Sequence, residues 1–358
     1  MNILGFALYG TQAASHRVRL SQFQPGLVDQ AIKLTIQSLL GNSYLRQRFA
    51  GDRTSLPGLL EAYGQRLQMM RHAGRFDLAI VYAELLPLLP AWLELHFLNI
   101  PYILDFDDAF FLKYRSGRLR WLNPLLGGKF DQLLRGAVAV TAGNAHLAAY
   151  ARRLNPNVTL LPSVVDTDHY RPADPPPAAS PFTVGWIGSP STAPYLQALI
   201  EPLQRFAKEQ HVRLLVVGGP APAIPGVEVV EQPWSLEREV ALIQQFSVGV
   251  MPLPDTPWTR GKCAYKLIQC MACAIPVIAS SVGANVEAVP ATCGLLASSP
   301  DDWLTAFRQL AADPPLRQRL GACGRQWVEE RYSLRSALPV LAGVIQAAVD
   351  RSRSPAAW

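Results

Sequence analysis

A cluster of basic residues lies where the second half of the chain predicts the start of a helix. Arg260, Gly261 and Lys262 come first, and Lys266 follows Lys262 by about one helical turn. Unpaired backbone N–H groups and the helix dipole favour an anion at the amino end of a helix. These residue types at this spacing predict a site for a diphosphate group.

The residues after this cluster predict a helix with two different faces. One face carries side chains that can reach a ligand, namely Lys262, Lys266, Gln269 and Cys273. The other face is apolar and carries Leu267, Ile268 and Met271. We therefore expect a helix from Lys262 to Cys273 that has one face toward a ligand and one face in a core.

A glycine turn follows the first predicted strand. Gly10 opens this turn, which continues through Ser15 into a helix bearing Arg17, and it could hold an anionic or hydroxylated ligand. The turn is not G-x-G-x-x-G, so the main sequence support for a nicotinamide dehydrogenase is missing. An ordinary turn between a strand and a helix is the alternative interpretation.

The segment Gly185 to Thr192, GWIGSPST, takes the corresponding position in the second half of the chain. Gly188 and Ser189 follow a predicted strand, and Ser191 or Thr192 is placed to cap the next helix. Because glycine lets a ligand approach the backbone, the segment predicts a binding turn. A purely structural turn is the alternative.

Three carboxylates, Asp105, Asp107 and Asp108, lie at the end of the strand predicted from Tyr102 to Phe106. Crowded acids do not all stay ionised without cations or solvent, so the cluster predicts a functional site. Strand alternation would turn Asp105 and Asp107 to one side and Asp108 to the other. Glu84, after the preceding predicted strand, is a neighbouring acid. Helix capping is the alternative interpretation for these acids.

These polar segments follow apolar runs that predict strands. In the first half the runs are Asn2 to Leu8, Phe76 to Tyr82, Tyr102 to Phe106, Ala137 to Thr141 and Val158 to Leu161. In the second half they are Phe182 to Ile187, Val212 to Val217, Val227 to Val230, Val248 to Met251 and Pro276 to Ala279. Strands that are apolar on both sides and alternate with helices are typical of a covered parallel sheet. We therefore predict an α/β protein with two doubly wound parallel-sheet domains facing a cleft, and ligands beyond the carboxyl ends of the strands.

The segment Arg171 to Pro181 is rich in proline and alanine and predicts a semi-rigid spacer between the domains. We expect a first domain at residues 1–171 and a second at 182–335. The tail from Asp301 to Ala348 has helical patterns. We expect residues 336–358 to form a helix that packs back toward the first domain.

The composition narrows the class of protein. Of the 358 residues, 49% are apolar and 17% are charged, which is enough to build more than one core. The net charge of +6 fits an anionic small molecule or an anionic membrane surface, and no nucleic-acid-binding module is recognised. No secretion signal or membrane-spanning segment is predicted, and the odd number of cysteines argues against a disulfide framework. We expect a cytoplasmic protein in which Cys270 and Cys273 are core thiols rather than a metal or redox pair.

One segment of the first half combines cations with apolar side chains. Between Phe110 and Leu122 it contains Lys113, Arg115, Arg118 and Arg120 among aromatic and aliphatic residues, and it contains no acid. This composition suits peripheral attachment to an anionic membrane surface. A solvated loop or helix face is the alternative.

Four segments together resemble the retaining glycosyltransferases of family 4, which have the GT-B architecture of two Rossmann-like domains. These segments are DFDDA at Asp105 to Ala109, NPNVTLLPSVVDTDHYRP at Asn155 to Pro172, GWIGSPST at Gly185 to Thr192, and YKLIQCMACAIPVIAS at Tyr265 to Ser280. The last segment is similar to the helix and strand signature of the family, which normally includes two glutamates separated by seven residues.

The resemblance implies a nucleotide-diphosphate sugar donor bound mainly by the second domain and a glycan, lipid or small-molecule acceptor bound mainly by the first. It implies transfer with retention, and it requires neither a cofactor nor a metal. The residues expected to act in catalysis are Asp107, Lys262 and Lys266, with Asp107 contacting the donor sugar or the acceptor hydroxyl. The residues expected to bind the donor are Gly188, Ser189, Arg260, Gly261, Tyr265 and Gln269. The residues expected on the acceptor side are Gly10, Ser15, Arg17, Glu84, Asp105 and Asp108.

The chain departs from the pattern of this family at three places. Gly261 and Gln269 occupy the positions of the two glutamates, which in the family contact the donor sugar and the ribose. The arginine and lysine that follow the glycine turn in the family are also absent, since Ser189 and the Pro194–Tyr195 region lie there. Positioned cations and helix-end amides can stabilise a leaving diphosphate, so this role is expected to pass to Arg260, Lys262 and Lys266.

Two other interpretations remain open from the sequence. Loss of both glutamates is compatible with a catalytically inactive GT-B homologue that binds a nucleotide sugar or a glycan as a scaffold or partner subunit. Alternatively, Asp105 and Asp107 could be the metal-binding pair of a single-domain, metal-dependent transferase. The second array of strands and helices after the proline-rich segment does not fit this last interpretation.

Overall fold

The computed structural model of the chain describes residues 1–50, 55–174 and 181–353. These residues form two compact units. The first unit contains Met1–Ser163 and the helical residues from Ala337 onward, and the second contains Val164–Ser336. Residues 175–180, the greater part of the predicted proline-rich spacer, lie outside the described residues.

The first unit is built on one parallel sheet. Its strands are β1 Asn2–Tyr9, β2 Lys33–Leu40, β3 Leu78–Tyr82, β4 Tyr102–Phe106, β5 Ala139–Ala142 and β6 Val158–Leu160. Their order across the sheet is β2-β1-β3-β4-β5-β6, and every neighbouring pair is parallel. All residues of β3, β4 and β5 are buried, as expected for strands covered on both faces.

Helices connect these strands. They are α1 Ala14–Arg19, α2 Gln24–Val28, α3 Asn42–Ala50, α4 Leu56–Arg71, α5 Ala91–Phe97, α6 Asn123–Leu126, α7 Lys129–Gly136 and α8 Ala145–Arg152. Short 3-10 helices lie at Ser21–Phe23, Ala73–Arg75, Phe110–Leu112 and Gly117–Leu122. Local capping sets some of the helix starts: the Ser55 side chain accepts from Gly58 N–H at α4, and Asn144 accepts from Leu147 N–H at α8.

The second unit repeats this plan. Its strands are β7 Phe182–Ile187, β8 Val212–Val217, β9 Glu228–Gln232, β10 Val248–Met251, β11 Val277–Ser280 and β12 Gly294–Ala297. Their order is β12-β11-β10-β7-β8-β9, again all parallel. Alternate residues of β8 pack on opposite faces of the sheet: Leu214 and Val216 belong to one hydrophobic cluster, and Leu215 and Val217 belong to the other.

The helices of this part of the chain are α9 Ile200–Phe206, α10 Glu239–Ile243, α11 Tyr265–Ala272, α12 Ala284–Ala288, α13 Pro300–Ala312, α14 Pro314–Arg331 and α15 Leu334–Arg353. Short 3-10 helices lie at Ala193–Leu199 and Thr259–Gly261. At α13, Ser299 and Asp302 form a reciprocal capping box, which fixes where this helix begins. The helical tail predicted from the sequence is confirmed.

The predicted α/β class with two doubly wound parallel sheets is confirmed, although two strands were not predicted. In the edge strand β2 only Leu34 and Leu39 are buried, and β12 is a short edge strand whose two central residues are not buried. The sequence of β2, KLTIQSLL, mixes polar with apolar residues, and β12 contains only four residues. Both features weaken the periodic signal of a strand.

The division between the units falls at Ser163 and Val164 rather than within the segment 171–181. Val165 forms a parallel bridge with Ser333, and the Tyr170 hydroxyl donates to Glu239 at 2.6 Å. These contacts hold residues 164–170 in the second unit, which is why this unit begins before the proline-rich segment.

Helix α15 starts in the second unit and continues in the first. Within the first unit, a Cβ added to Gly26 would lie 2.4 Å from Leu338, so the helix packs tightly there. Arg353 also pairs with Asp77 at 2.9 Å. Among the described residues, no helix has both the length and the apolar character needed to cross a membrane.

Each sheet has a point where the chain reverses its direction of winding. In the first unit this point lies between β1 and β3, and in the second it lies between β7 and β10. Loops at the carboxyl ends of such strands diverge and leave a crevice for ligands. Ligand-binding residues are therefore expected in the loops after β1 and β3 and in those after β7 and β10.

Replacing Gly185 with alanine should unfold the second unit at lower denaturant. An added Cβ would lie 1.9 Å from the Phe246 ring, which is fully buried, so the ring or the strand must shift. We expect Gly185→Ala to lower stability by about 2 kcal/mol or more, measured by urea unfolding. The matched control is Gly64→Ala in α4, where a Cβ meets no atom within 4 Å, and it should be neutral or slightly stabilising. Equal effects of the two changes would contradict the packing argument.

Candidate functional site

Two glycine backbones approach each other beyond the carboxyl ends of β7 and β8. The Gly188 N–H donates to the Val217 carbonyl at 2.9 Å, and the Gly218 N–H donates to the Gln232 carbonyl at 2.9 Å. Gly218 has φ of +84°, and a Cβ there would lie 2.4 Å from the Gly188 carbonyl oxygen. Both the backbone conformation and the space require glycine at residue 218. Glycine at these two positions therefore lets the loops after β7 and β8 pack closely against each other.

The Lys266 side chain lies beside this glycine turn. Its Nζ is 5.4 Å from the centre of the Trp186 ring, and a Cβ added to Gly188 would lie 2.6 Å from Lys266 Cε. Trp186 is only 2% exposed and forms a rigid support for the cation. Lys262 has a similar partner, since its Nζ lies 5.6 Å from the centre of the Trp258 ring. The fold thus brings Lys266 together with Gly188, as the predicted donor site requires.

The start of the predicted helix differs from the expectation. Helix α11 begins at Tyr265 rather than at Lys262, because Ala264 takes a left-handed conformation with φ of +53°. Arg260 and Gly261 belong to the preceding 3-10 helix Thr259–Gly261. The basic residues therefore come from two successive elements, and Lys266 is the one that lies in the first turn of α11.

The Arg260 guanidinium pairs with Asp255 through two hydrogen bonds of 2.6 and 2.9 Å. This partner balances the charge that the sequence assigned to diphosphate binding. Gly261 is buried, and a Cβ on Gly283 would meet the Arg260 backbone at 2.8 Å. The segment is thus held by close backbone packing. The predicted cationic contribution of Arg260 is therefore shared with an exposed carboxylate.

The expectation that Gln269 and Cys273 lie on a ligand-facing side of the helix is wrong. Gln269 is 4% exposed, and its amide donates to the Tyr170 hydroxyl at 2.9 Å and to Glu239 at 3.5 Å. Trp234 Nε1 donates to the same Glu239 carboxylate at 2.8 Å. Helix α11 is buried on both sides from Leu267 onward, so only its first turn can reach a ligand.

The thiols of Cys270 and Cys273 are buried in the hydrophobic cluster around α11. Burial raises the pKa of Cys273 to about 12 and raises that of Cys270 further. The interpretation of these residues as core thiols fits this environment.

Two predicted donor-binding residues are partly exposed: Ser189, in the glycine turn, and Tyr265, at the start of α11. The Ser189 hydroxyl is hydrogen-bonded to the Ser191 hydroxyl at 2.8 Å.

In the first unit, side chains fix the glycine turn after β1. Asn42, at the start of α3, accepts from the Gln12 N–H at 3.0 Å and donates to the Thr11 hydroxyl at 2.9 Å. Arg17 donates to the Thr11 and Gln12 carbonyl oxygens at 3.0 Å. A Cβ on Gly10 would lie 2.3 Å from the Asn42 amide oxygen. Arg17 therefore has a structural task in this turn in addition to any ligand contact, and Ser15 follows the turn as a partly buried residue.

The Asp105 carboxylate has a structural environment that the sequence did not reveal. It is 2% exposed and accepts two hydrogen bonds from the buried Arg19, at 2.9 and 2.5 Å. The Thr141 hydroxyl adds a third bond at 2.5 Å. The buried pair of Asp105 and Arg19, together with Thr141, holds α1 to β4 and β5. The prediction that Asp105 lies on the acceptor side is therefore corrected, because its carboxylate is committed to these partners.

Asp107 lies in a different environment from Asp105, although strand alternation predicted that the two side chains point to the same side. Its Oδ1 accepts from the Tyr82 hydroxyl at 2.6 Å, and its Oδ2 accepts from the Ser163 hydroxyl at 3.4 Å. Asp107 and Asp108 are both partly exposed. Since Asp105 and Asp107 bind different partners, they do not form the metal-binding pair considered from the sequence. Among the described residues, no three His, Cys, Asp or Glu side chains are grouped as a metal site would need.

The prediction that Glu84 lies on the acceptor side is also corrected, because Glu84 is 4% exposed and lies in a buried charge network. It pairs with Lys113 and, at 2.7 Å, with Lys129, which in turn pairs with Glu94 at 2.7 Å. Burial would raise the pKa of Glu84, but the two lysines outweigh burial and hold it below its ordinary value. For Glu94 burial dominates over Lys129 and raises the pKa to about 7.

The network holds the loop after β3 by its backbone. Glu94 accepts from the Leu86 N–H at 2.6 Å, and Lys129 donates to the Leu86 carbonyl at 2.9 Å. The Tyr63 hydroxyl donates to the Pro87 carbonyl at 2.6 Å. The loop includes Leu88 with φ of +67°, a conformation that a leucine seldom adopts and that these bonds stabilise.

Sequence reasoning missed the partners that decide which acids can reach a ligand. Tyr82 ends β3 beside the strand that carries the aspartates, so the order of the strands could have indicated its contact with Asp107. Lys129 and Glu94 had no such signal, because each joins residues far apart in sequence. Ser163 was part of the segment that resembles family 4, but its spacing did not reveal its partner.

The pKa of Glu94 predicts how stability depends on pH. Its folded value of about 7 exceeds its ordinary value of 4.5, so between these values the folded state binds more protons than the unfolded state. Protonated Glu94 therefore stabilises the folded state at low pH, and this stabilisation is lost as the pH rises through about 7. We expect Glu94→Gln to flatten the decline in urea midpoint between pH 5 and 7, an effect on the order of 1–3 kcal/mol. Glu61→Gln, at an exposed carboxylate of α4, is the control. Parallel curves for wild type and Glu94→Gln would contradict this account.

Residues 181–313 match the family model described as "Glycosyl transferases group 1". Sucrose-phosphate synthase from Thermosynechococcus elongatus is similar over 97% of this chain and 98% of its own, with a TM-score of 0.71 and 16% identity. HepE of Anabaena, solved in complex with UDP-glucose, is similar over 97% of this chain and 100% of its own, with a TM-score of 0.72 and 13% identity.

WaaG, described as a glycosyltransferase involved in lipopolysaccharide biosynthesis, is similar over 96% of this chain and 99% of its own, with a TM-score of 0.66 and 12% identity. No curated protein matches the sequence. Residues 181–313 are thus similar to the group 1 glycosyltransferases, and the chain as a whole has the GT-B fold.

Proposed function

We propose that this protein transfers a hexose from a nucleotide-diphosphate sugar to a glycan, a lipid-linked or a small-molecule acceptor, with retention of configuration. The observation that carries the proposal is the arrangement of Lys266, Trp186 and Gly188 beyond the carboxyl end of β7. It combines a positioned cation with a glycine turn in the part of the chain that matches the group 1 model.

The donor diphosphate would bind at the glycine turn and the first turn of α11. Lys266 and Lys262 would supply positive charge, and the Ser189 N–H would contact a phosphate oxygen. Gly188, whose own N–H is bonded to the Val217 carbonyl, would let the phosphate approach the backbone. As the bond to the sugar breaks, negative charge grows on the leaving diphosphate, and fixed cations stabilise it most at that point. We propose that these lysines fulfil this role without a divalent metal. The neighbouring residues Tyr265, Gly261 and Arg260 would line the same loop.

The acceptor side of the proposal lies in the first unit. Asp107 and Asp108 are the partly exposed acids after β4, and the fixed turn at Gly10, Ser15 and Arg17 follows β1. A carboxylate can orient a sugar or acceptor hydroxyl through a hydrogen bond, and we assign this contact to Asp107. Since HepE was solved with UDP-glucose, we propose a UDP-hexose as the first donor to test.

Lys266→Ala should weaken binding of UDP and UDP-glucose by about tenfold or more, because the variant loses the cation beside the glycine turn. Isothermal titration calorimetry measures the affinity, and release of UDP measures turnover. The control is Lys208→Ala, at an exposed lysine of the same unit that lies after α9. Unchanged affinity in Lys266→Ala would reject the assignment of the diphosphate site.

An inactive GT-B homologue that binds a nucleotide sugar or glycan is the second candidate. The observation that favours it is the absence of both family glutamates, with Gly261 in one position and the buried Gln269 in the other. Calorimetric binding of UDP-glucose without hydrolysis or transfer, across a broad panel of acceptors, would establish this candidate over the enzyme.

We further propose peripheral attachment of the first unit to the cytoplasmic face of an anionic membrane. Of the cations in segment 110–122, Lys113 and Arg115 pair with Glu84 and Asp131, whereas Arg118 and Arg120 are exposed. Trp121 is 72% exposed beside them. Exposed indole and guanidinium groups together suit the interface of an anionic bilayer.

A triple change to alanine at Arg118, Arg120 and Trp121 should reduce co-sedimentation with vesicles of anionic phospholipid several-fold, with no change in melting temperature. A matched control changes Leu236 and Arg238, an exposed apolar residue and an exposed cation of the second unit, to alanine. If the wild-type protein binds anionic and neutral vesicles equally, or binds neither, membrane attachment is rejected.

A further inference from the structure

Two hydroxyl groups from different parts of the first unit hold the Asp107 carboxylate. Tyr82 lies at the end of β3, and Ser163 follows β6. We propose that Tyr82 and Ser163 are positioning residues that fix the orientation of the Asp107 carboxylate. This inference rests on the role proposed above, in which Asp107 contacts a hydroxyl of the donor sugar or of the acceptor.

The two bonds go to different oxygens of the carboxylate. Tyr82 donates to Oδ1 at 2.6 Å, and Ser163 donates to Oδ2 at 3.4 Å. Rotation of an aspartate about the bond to its carboxyl carbon is broad and is poorly defined by rotamer preference alone. Donors on both oxygens remove this freedom, so the carboxylate keeps one plane before any ligand binds. Preorganised acceptors of this kind lower the cost of aligning a substrate hydroxyl.

Tyr82 is itself immobilised. It is 5% exposed, and its ring meets Phe110 edge to face at 5.7 Å, with Phe110 stacked at 6.3 Å on Phe130. Burial, together with the charge of Asp107, raises the pKa of Tyr82 well above its ordinary value, so the phenol keeps its proton. Tyr82 is therefore a permanent donor toward Asp107.

The contrast with Asp105 explains why hydroxyl partners matter. Arg19 forms two hydrogen bonds with Asp105 and brings a full positive charge to it. Tyr82 and Ser163 orient Asp107 without adding a counter-charge, so their contribution leaves the carboxylate suited to accept a hydrogen bond from a substrate hydroxyl. The segment Asp105 to Asp108 thus contains Asp105, which stabilises the fold, and Asp107, whose carboxylate is oriented for contact with a substrate hydroxyl.

Crystal structures of variants test the inference without any substrate. We expect the Asp107 carboxylate to adopt one orientation in the wild-type protein and to be rotated, or present in several orientations, in Tyr82→Phe combined with Ser163→Ala. The control is Tyr102→Phe, which removes the hydroxyl of a buried tyrosine in β4 that donates to the Leu133 carbonyl. An unchanged Asp107 orientation in the double variant would overturn the inference.

Kinetics with UDP-glucose provide the second readout. We expect Tyr82→Phe to lower kcat about tenfold and to leave the KM for UDP-glucose and the melting temperature close to those of Tyr102→Phe. In Asp107→Asn, adding Tyr82→Phe should cause no further loss, because Tyr82 acts through Asp107. Independent losses in the double variant would show that Tyr82 has a separate structural effect and would overturn the inference.

The outcomes separate this inference from the function it rests on. Wild-type turnover in Asp107→Asn would reject the proposed role of Asp107 itself. Loss of turnover in Asp107→Asn together with normal turnover in Tyr82→Phe would reject only the positioning role. If the wild-type protein does not turn over UDP-glucose, the proposed donor is rejected, and the crystallographic comparison still decides whether Tyr82 and Ser163 fix the carboxylate.

Discussion

The Gly188 and Gly218 backbones lie so close together that a Cβ on Gly218 would overlap the Gly188 carbonyl oxygen. This contact depends on two neighbouring parallel strands ending at the same level. Lys266 can then approach the turn while supported by Trp186. The proposed diphosphate site depends on this arrangement, because its cation and its amide come from different elements that only this packing brings together.

In the first unit, the partners of each acid decide what that acid can do. Asp105 is held by Arg19, and Glu84 is held by Lys113 and Lys129, so both carboxylates stabilise the fold. Breaking a buried pair of this kind leaves a charge without compensation, which makes such pairs structurally costly to alter. Asp107 instead has hydroxyl partners and remains partly exposed. The burial of Asp105 and Glu84 beside cations therefore distinguishes these two structural acids from the partly exposed Asp107.

One departure from the family pattern, Gln269, has a physical explanation in the second unit. Gln269 lies in a polar network with Tyr170 and Glu239 below the binding turn, and that network ties the start of this unit to α11. A side chain committed to such a network is buried rather than directed at a ligand. The proposed donor site consequently relies on lysines at the start of α11 rather than on acids along it.

The sequence by itself determined the class of the fold, because buried parallel strands such as β3 and β10 are continuous apolar runs, and such a run is a local property of the chain. It also indicated Gly188 and Asp107, which directly follow strands, and Lys266, which lies near the start of a predicted helix, because these too are local signals. Only the tertiary structure decided that Asp105 is paired with Arg19, which comes from a distant part of the chain. Burial and charge pairing depend on which segments meet in space, and the spacing of residues along one segment contains no record of that.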